Sequence, residues 1–159
     1  MAAPRHNASQ AFVAPLSLID LRVAREDWGR VALGVLAALV VALPIGYGTG
    51  FLVSPYVPST KLFNAVVNIA KIVAFEEILF RALLFRWLDR RMGLQPAAVL
   101  SAIIYGALHL IQFPYPMAIM AAWAGYVFAL AYHRTGRLST PMMIHAVLVA
   151  IQYFILPVE

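Results

Sequence analysis

The sequence predicts an all-α fold: a polytopic membrane helix bundle of about five transmembrane helices, with the N-terminus in the cytoplasm. Three observations point there. The chain is 63% hydrophobic and 12% charged, with a mean hydropathy of +0.82, whereas soluble domains are about half apolar and about a quarter charged. The apolar residues fall in long runs separated by proline, glycine and arginine. The arginines recur in every second connection between those runs.

Taken in order, residues 1–15 are Ala, Pro, Asn, Ser and Gln without period and read as disordered. Leu16, Leu18, Ile19, Leu21, Val23 and Trp28 suggest a short interfacial helix over 16–28. Residues 1–30 thus form a cytoplasmic or interfacial segment, and 31–159 one helical membrane domain. The run from Val31 to Ser59 is too long and begins too late for the apolar core of a signal peptide, so it reads as a retained span. The spans predicted are 31–53, 62–86, 97–113, 117–132 and 139–156. A crossing helix needs about 20 residues, which leaves the fourth at the short end. Gly93 and Pro96 mark one turn. Phe113-Pro114-Tyr115-Pro116 breaks another apolar stretch, because closely spaced prolines interrupt helices. Trp28, Trp87, Tyr115 and Tyr153 fall near span ends as interfacial anchors.

Charge fixes the orientation. Arg22, Arg25 and Arg30 precede the first span, Arg86, Arg90 and Arg91 follow the second, and Arg134 and Arg137 follow the fourth. The other connections hold Lys61 or no basic residue. Basic loops stay in the cytoplasm, so the N-terminus lies inside and the C-terminus outside. The net charge of +5 is accounted for by these flanks and excludes a nucleic-acid partner. The absence of cysteine excludes disulfides, thiolate zinc sites and a cysteine nucleophile.

Two adjacent acids, Glu76 and Glu77, sit inside the second span, with Arg81 following. A carboxylate at membrane depth costs a few kcal/mol or more unless it is paired, and such residues commonly mark a pathway or a reaction site. Glu77 and Arg81 are i and i+4 on one face, the spacing of an ion pair. Glu76 and Arg81 are five apart, about 140° around the helix. Glu77 therefore reads as the structural partner of Arg81, and Glu76 as the acid free to take up a proton, as a general base must. Asn64, Asn68 and Lys71 add polarity on another side, so the span is expected to be surrounded by other helices. A purely structural network of Glu76, Glu77, Lys71 and Arg81 is the competing reading.

Ser101, Tyr105, His109 and Gln112 share one face of the third span, and His145 and Gln152 share one face of the fifth. At 1.5 Å per residue, Glu76, His109 and His145 lie ~15, ~18 and ~9–12 Å from the cytoplasmic ends of their spans. This common layer suggests one site. A carboxylate with two imidazoles can activate water and stabilise an oxyanion, the equipment for hydrolysing an amide. A zinc site ranks lower, since no two ligands have the His-Glu-x-x-His spacing. Ala102 and Gly106, and Ala121, Gly125 and Ala129, are spaced by four for close helix packing.

These residues resemble the CPBP (Abi) family of glutamate-type intramembrane proteases, which includes the CAAX prenyl endopeptidases and bacteriocin-processing proteins. Glu76-Glu77-Ile78-Leu79-Phe80-Arg81 matches its Glu-Glu-x-x-x-Arg motif. Tyr105 to His109 matches Phe-x-x-x-His with Tyr for Phe. His145 matches the His of His-x-x-x-Asn, but Val149 stands where the Asn is expected. The resemblance covers roughly residues 70–150. It implies that Glu76 is the base that activates water, that His109 assists, and that His145 stabilises the oxyanion. Val149 cannot donate a hydrogen bond, so half of the expected oxyanion support is missing. Gln152, Asn68 or a water could take its place. The implied substrate is a membrane-embedded protein or peptide cut near its C-terminal region, with no cofactor, in a bacterial-type inner membrane. The chain's size and layout are similar to those of compact sorting proteases, whose substrates carry a short motif, a transmembrane helix and a basic tail. Two rival functions remain: a non-catalytic immunity or partner-binding membrane protein on the same fold, motivated by Val149, and a proton- or metal-linked transporter. The lack of an internal repeat weighs against the transporter.

Overall fold

The structure, a computed structural model, describes residues 25–50 and 62–154. The expectations for residues 1–24, the end of the first span at 51–53, and the side chains of Asn64, Asn68 and Tyr153 fall outside the described residues. What is described is helical throughout, without strands. A short 3-10 turn, Arg25–Asp27, leads into α1 (Trp28–Gly48). Then α2 (Leu62–Glu77) runs without a break into a π-helical stretch, Ile78–Phe85, and on into α3 (Arg86–Met92). After Gly93 come α4 (Leu94–His109), α5 (Tyr115–Thr135) and α6 (Ser139–Phe154).

The helix ends follow local chemistry. Gly93 has φ +81° and Gly136 φ +64°, the left-handed region that glycine enters at least cost, and these two residues close α3 and α5. Pro114 caps α5 in an extended conformation, with Pro116 in its first turn, where a missing N–H does no harm. Pro96 also sits in the first turn of α4, not in the preceding turn as predicted. The fourth predicted span, 117–132, proves to be a 21-residue helix. The third predicted span, 97–113, is shorter than expected: α4 ends at His109, and residues 110–113 form turns.

Among the described residues, two helical segments are long and apolar enough to cross a membrane, Arg25–Gly48 and Tyr115–Thr135, and two shorter ones are apolar, Leu94–His109 and Ser139–Gln152. Beside an apolar core, large apolar side chains lie on the surface and several charged ones lie inside. Leu36, Val40, Phe75, Leu83, Ile103 and Ile111 are exposed, whereas Asp27, Glu77, Arg81 and His145 are buried. Among the described residues, Lys71 is exposed, as are Ile72 and Phe75 beside it, so α2 has an open side there and is not enclosed by the described helices as predicted.

Packing of α4 on α5 relies on small residues. A β-carbon at Gly106 would lie 2.6 Å from the Ala118 carbonyl oxygen and 2.6 Å from the Ala122 β-carbon. One at Gly125 would lie 2.9 Å from the Tyr105 ring. On the other side of α5, Val31, Phe128 and Ile144 join α1, α5 and α6 in one cluster. Gly34 packs so closely on Ile144 that a β-carbon there would collide with it. Trp123 Nε1 donates to the Ala37 carbonyl at 2.8 Å, tying α1 to α5. At the end of α1, buried Asp27 accepts from Arg30 at 2.6 Å and from Arg137 at 2.7 Å, which anchors α1 to the α5–α6 connection. The sequence reading used Arg30 and Arg137 for orientation but did not see this carboxylate between them.

Gly106→Val should therefore force α4 and α5 apart, because the obstructing atoms include backbone. A loss of ~1–3 kcal/mol is expected, measured as a lowered unfolding midpoint in detergent, whereas Gly29→Ala, with nothing near its added carbon, should leave the midpoint close to wild type.

Candidate active site

The site is built where the α2 rod, α4, α5 and α6 meet. Glu76 and Glu77 are the last two residues of α2, directly before the π-helical stretch. A π turn widens the helix, re-aims the side chains that follow, and is often found at functional sites. Here it keeps Arg81 on Glu77's side: Arg81 Nε lies 3.1 Å from Glu77 Oε2, the pair that the i, i+4 spacing predicts. Both side chains are almost wholly inaccessible to solvent, at 2% and 0%.

The surroundings of Arg81 explain how a guanidinium is accommodated there. Its Nη2 donates to the Gly125 carbonyl at 3.3 Å. Its central carbon lies 4.7 Å from the Tyr105 ring centre and 4.8 Å from that of Phe128. Stacking on two aromatic faces supplies attraction where water is absent. Gly125 is thus doubly constrained: a side chain there would meet Tyr105 and Arg81 together.

Glu77 is more than a counter-ion. Its Oε1 accepts a hydrogen bond from His145 Nδ1 at 2.9 Å. A carboxylate can only accept, so Nδ1 carries the proton and Nε2 points away from Glu77. Nε2 lies 3.8 Å from Glu76 Oε2. The ring is held flat against Phe128, with centres 5.1 Å apart and planes at 26°. The division of the acids into a structural Glu77 and a chemical Glu76 is therefore too simple. Glu77 touches Arg81 on one oxygen and fixes the histidine on the other.

Glu76 is not free either. Tyr105 Oη donates to its Oε2 at 2.6 Å. The Glu76 side chain keeps 23% of its surface accessible against none for Glu77, so water can reach one acid and not the other.

His109 lies one turn beyond Tyr105, at the end of α4. Its Nδ1 is 2.8 Å from the Tyr105 carbonyl oxygen. Since a carbonyl only accepts, Nδ1–H donates and Nε2 holds the lone pair. The Tyr105 ring lies 4.6 Å from His109 and 6.4 Å from His145, centre to centre, so tyrosine links the two imidazoles. The expected common layer of Glu76, His109 and His145 is thus resolved into a tight trio of Glu76, Tyr105 and His145, with His109 beyond it.

An apolar cavity of about 100 Å³ opens beside this trio. Tyr105, His109 and His145 line one side, Val149 and Gln152 continue along α6, and alanine, leucine and methionine side chains of α1 and α5 close most of the rest. Val149 is therefore in the site, and its apolar side chain leaves that stretch of the wall without a donor. Among the described residues, no group of three or more His, Asp or Glu side chains could hold a metal ion. What sequence reasoning missed is the Tyr105 hydroxyl bond and the aromatic sandwich of Arg81. The first was signalled by Tyr where the motif has Phe, and the second by nothing local.

The family model described as Type II CAAX prenyl endopeptidase Rce1-like matches residues 58–151. No curated protein gives a significant match. No solved structure does so either.

Breaking a buried ion pair on one side costs about 3–5 kcal/mol, whereas replacing both partners with apolar or neutral groups can be nearly neutral. Arg81→Met should accordingly destabilise the protein by ~3–5 kcal/mol, and adding Glu77→Gln to Arg81→Met should recover part of that loss. Unfolding midpoints of the single and double variants in one detergent compare the two.

Proposed function

Since this chain belongs to the Type II CAAX prenyl endopeptidase Rce1-like family, with more than half of its length matched, we propose that it is an intramembrane endopeptidase in which Glu76 activates the attacking water. The family is one of integral membrane CAAX proteases. The observation that carries the mechanism is the convergence of Tyr105 Oη and His145 Nε2 on Glu76 Oε2, at 2.6 and 3.8 Å, beside an apolar cavity.

In this reading, a water bound at Glu76 gives its proton to the carboxylate as its oxygen attacks the scissile carbonyl. His109, with its Nε2 lone pair available, helps to hold that water. His145 stays oriented by Glu77, the role a buried carboxylate commonly plays behind a catalytic imidazole, and its Nε2, bare while Nδ1 carries the proton, faces Glu76 and the water bound there. Glu76 then returns its proton to the leaving amine. The chemistry needs no cofactor. Arg81 pairs with Glu77 in a place that water does not reach.

The chain is a multi-pass protein of a bacterial-type inner membrane in this proposal. The five helical rods cross the bilayer with the N-terminus inside, and the exposed apolar faces meet lipid. The substrate is a membrane-associated protein cut near its C-terminal region, either a prenylated CAAX chain or one with a short motif, a transmembrane helix and a basic tail. Val149 favours one second reading, a non-catalytic immunity or partner-binding protein on the same fold. Full biological function in a Glu76→Gln, His109→Ala double variant would support that alternative.

Both candidate substrates should be co-reconstituted with wild type and with Glu76→Gln, and product size read by gel and mass spectrometry. Loss of a general base lowers rates by about 10²–10⁴-fold, so the variant should show no product on the time scale of wild-type cleavage while keeping its unfolding midpoint. Equal cleavage by the two would sink the proposal.

Topology has its own test, made clean by the absence of native cysteine. A cysteine at position 111 should react with a membrane-impermeant maleimide from outside intact cells. One at position 91 should react only after permeabilisation. The reverse pattern would invert the bundle.

A further inference from the structure

The proposed hydrolysis needs a neutral donor for the carbonyl oxygen, placed within reach of the water that Glu76 activates. The helix that carries His145 offers none one turn on, because Val149 is apolar. Gln152 lies seven residues from His145, about 10 Å along the helix. The Tyr105 hydroxyl, by contrast, already lies 2.6 Å from Glu76 and borders the cavity that Val149 also lines. Tyr105 is rigidly held: it is 2% exposed, its ring stands edge-on to Phe80 with centres 4.8 Å apart, and Arg81 covers its face at 4.7 Å. Its position is therefore set by packing and not by the Glu76 bond alone, so the O–H can rotate to a second acceptor without moving the ring.

We infer that the Tyr105 hydroxyl is the oxyanion donor of this enzyme, supplying from α4 the hydrogen bond that Val149 cannot supply from α6. This inference rests on the hydrolytic reading of Glu76. In the resting site, the hydroxyl donates to the Glu76 carboxylate, the strongest acceptor within reach. As water attacks, a bond forms between its oxygen and the carbonyl carbon, the carbonyl π pair moves onto the substrate oxygen, and the water proton passes to Glu76. Glu76 is now neutral and a poorer acceptor, while the substrate oxygen is anionic and a better one. The Tyr105 O–H turns from the first to the second. When the C–N bond breaks, the Glu76 proton goes to the amine nitrogen, the oxygen's pair reforms the carbonyl, and the hydroxyl returns to the carboxylate. The hydroxyl keeps its own proton throughout, so the exchange is one of hydrogen-bond acceptors and consumes no further reactant.

The test uses the full chain in detergent with a farnesylated CAAX peptide and with the membrane protein bearing a C-terminal helix and basic tail, taking whichever wild type cleaves. Loss of one oxyanion donor typically lowers kcat by about 10²–10³-fold. Tyr105→Phe, which keeps the ring, should show a fall of that size in kcat with KM little changed and the unfolding midpoint retained. Introducing Val149→Asn into the Tyr105→Phe background should restore at least about tenfold of the loss, since an amide donor one turn from His145 would serve the same oxygen. Activity of Tyr105→Phe within a few-fold of wild type overturns the inference. So does a loss that Val149→Asn leaves unrepaired, which would reduce Tyr105 to a residue that positions Glu76. These outcomes count only where Glu76→Gln is inactive. A wild type that cleaves neither substrate, or a Glu76→Gln that cleaves normally, refutes the hydrolytic reading itself.

Discussion

The Glu77 carboxylate is the constraint on which the rest of the site depends. It is wholly buried, and each of its oxygens meets a different helix-borne cation or donor: Arg81 from the π-helical stretch and His145 from α6. A buried carboxylate is tolerable only if it is paired and hydrogen-bonded. That requirement pulls α6 onto the α2 rod and sets the histidine ring. Arg81 in turn needs partners, and it finds them in the Gly125 carbonyl and the faces of Tyr105 and Phe128. Gly125 must stay bare to admit both. The small-residue spacing on α5, the aromatic pair and the ion pair are therefore one arrangement, and loss of any part exposes the cost of the others.

From this base the chemistry divides between two acids that are neighbours in the chain and opposite in environment. Glu77 is sealed and committed. Glu76 is partly accessible and meets Tyr105 and His145 through a single oxygen. The difference comes from helix geometry: adjacent residues point about 100° apart, so one acid enters the bundle core and the other stays partly accessible beside Tyr105 and His145. The cavity lies between α1, α4, α5 and α6, walled by alanine, leucine and methionine on one side and by Tyr105, His109 and His145 on the other. At the start of α1, buried Asp27 bridges Arg30 of that helix and Arg137 of the α5–α6 connection.

Much of the fold was legible in the sequence, for reasons that particular residues make plain. Apolar runs must become helices where backbone groups lack water; Gly93 and Gly136 end two of them and Pro114 starts another by local backbone preference. Boundaries slipped where two local signals competed. Pro96 looks like a turn residue but is equally at home in a first helical turn, and residues 110–113 are apolar enough to pass for helix although the chain turns there ahead of Pro114. The Glu77–Arg81 pair was readable because both members lie on one helix, four apart.

The sequence by itself determined the helices, the ion pair within the α2 rod, and the motif residues that assign the chain to its family. Tertiary structure alone decided which groups meet across helices: His145 on Glu77, the Tyr105 hydroxyl on Glu76, Arg81 between two aromatic rings, and Asp27 between two arginines. The physical reason is the range of the rules involved. Periodicity and capping act over a few residues and are written in the local order of side chains. Pairings separated by 29, 68 or 110 positions depend on helix rotation and packing distance, set by where glycine and alanine let backbones approach.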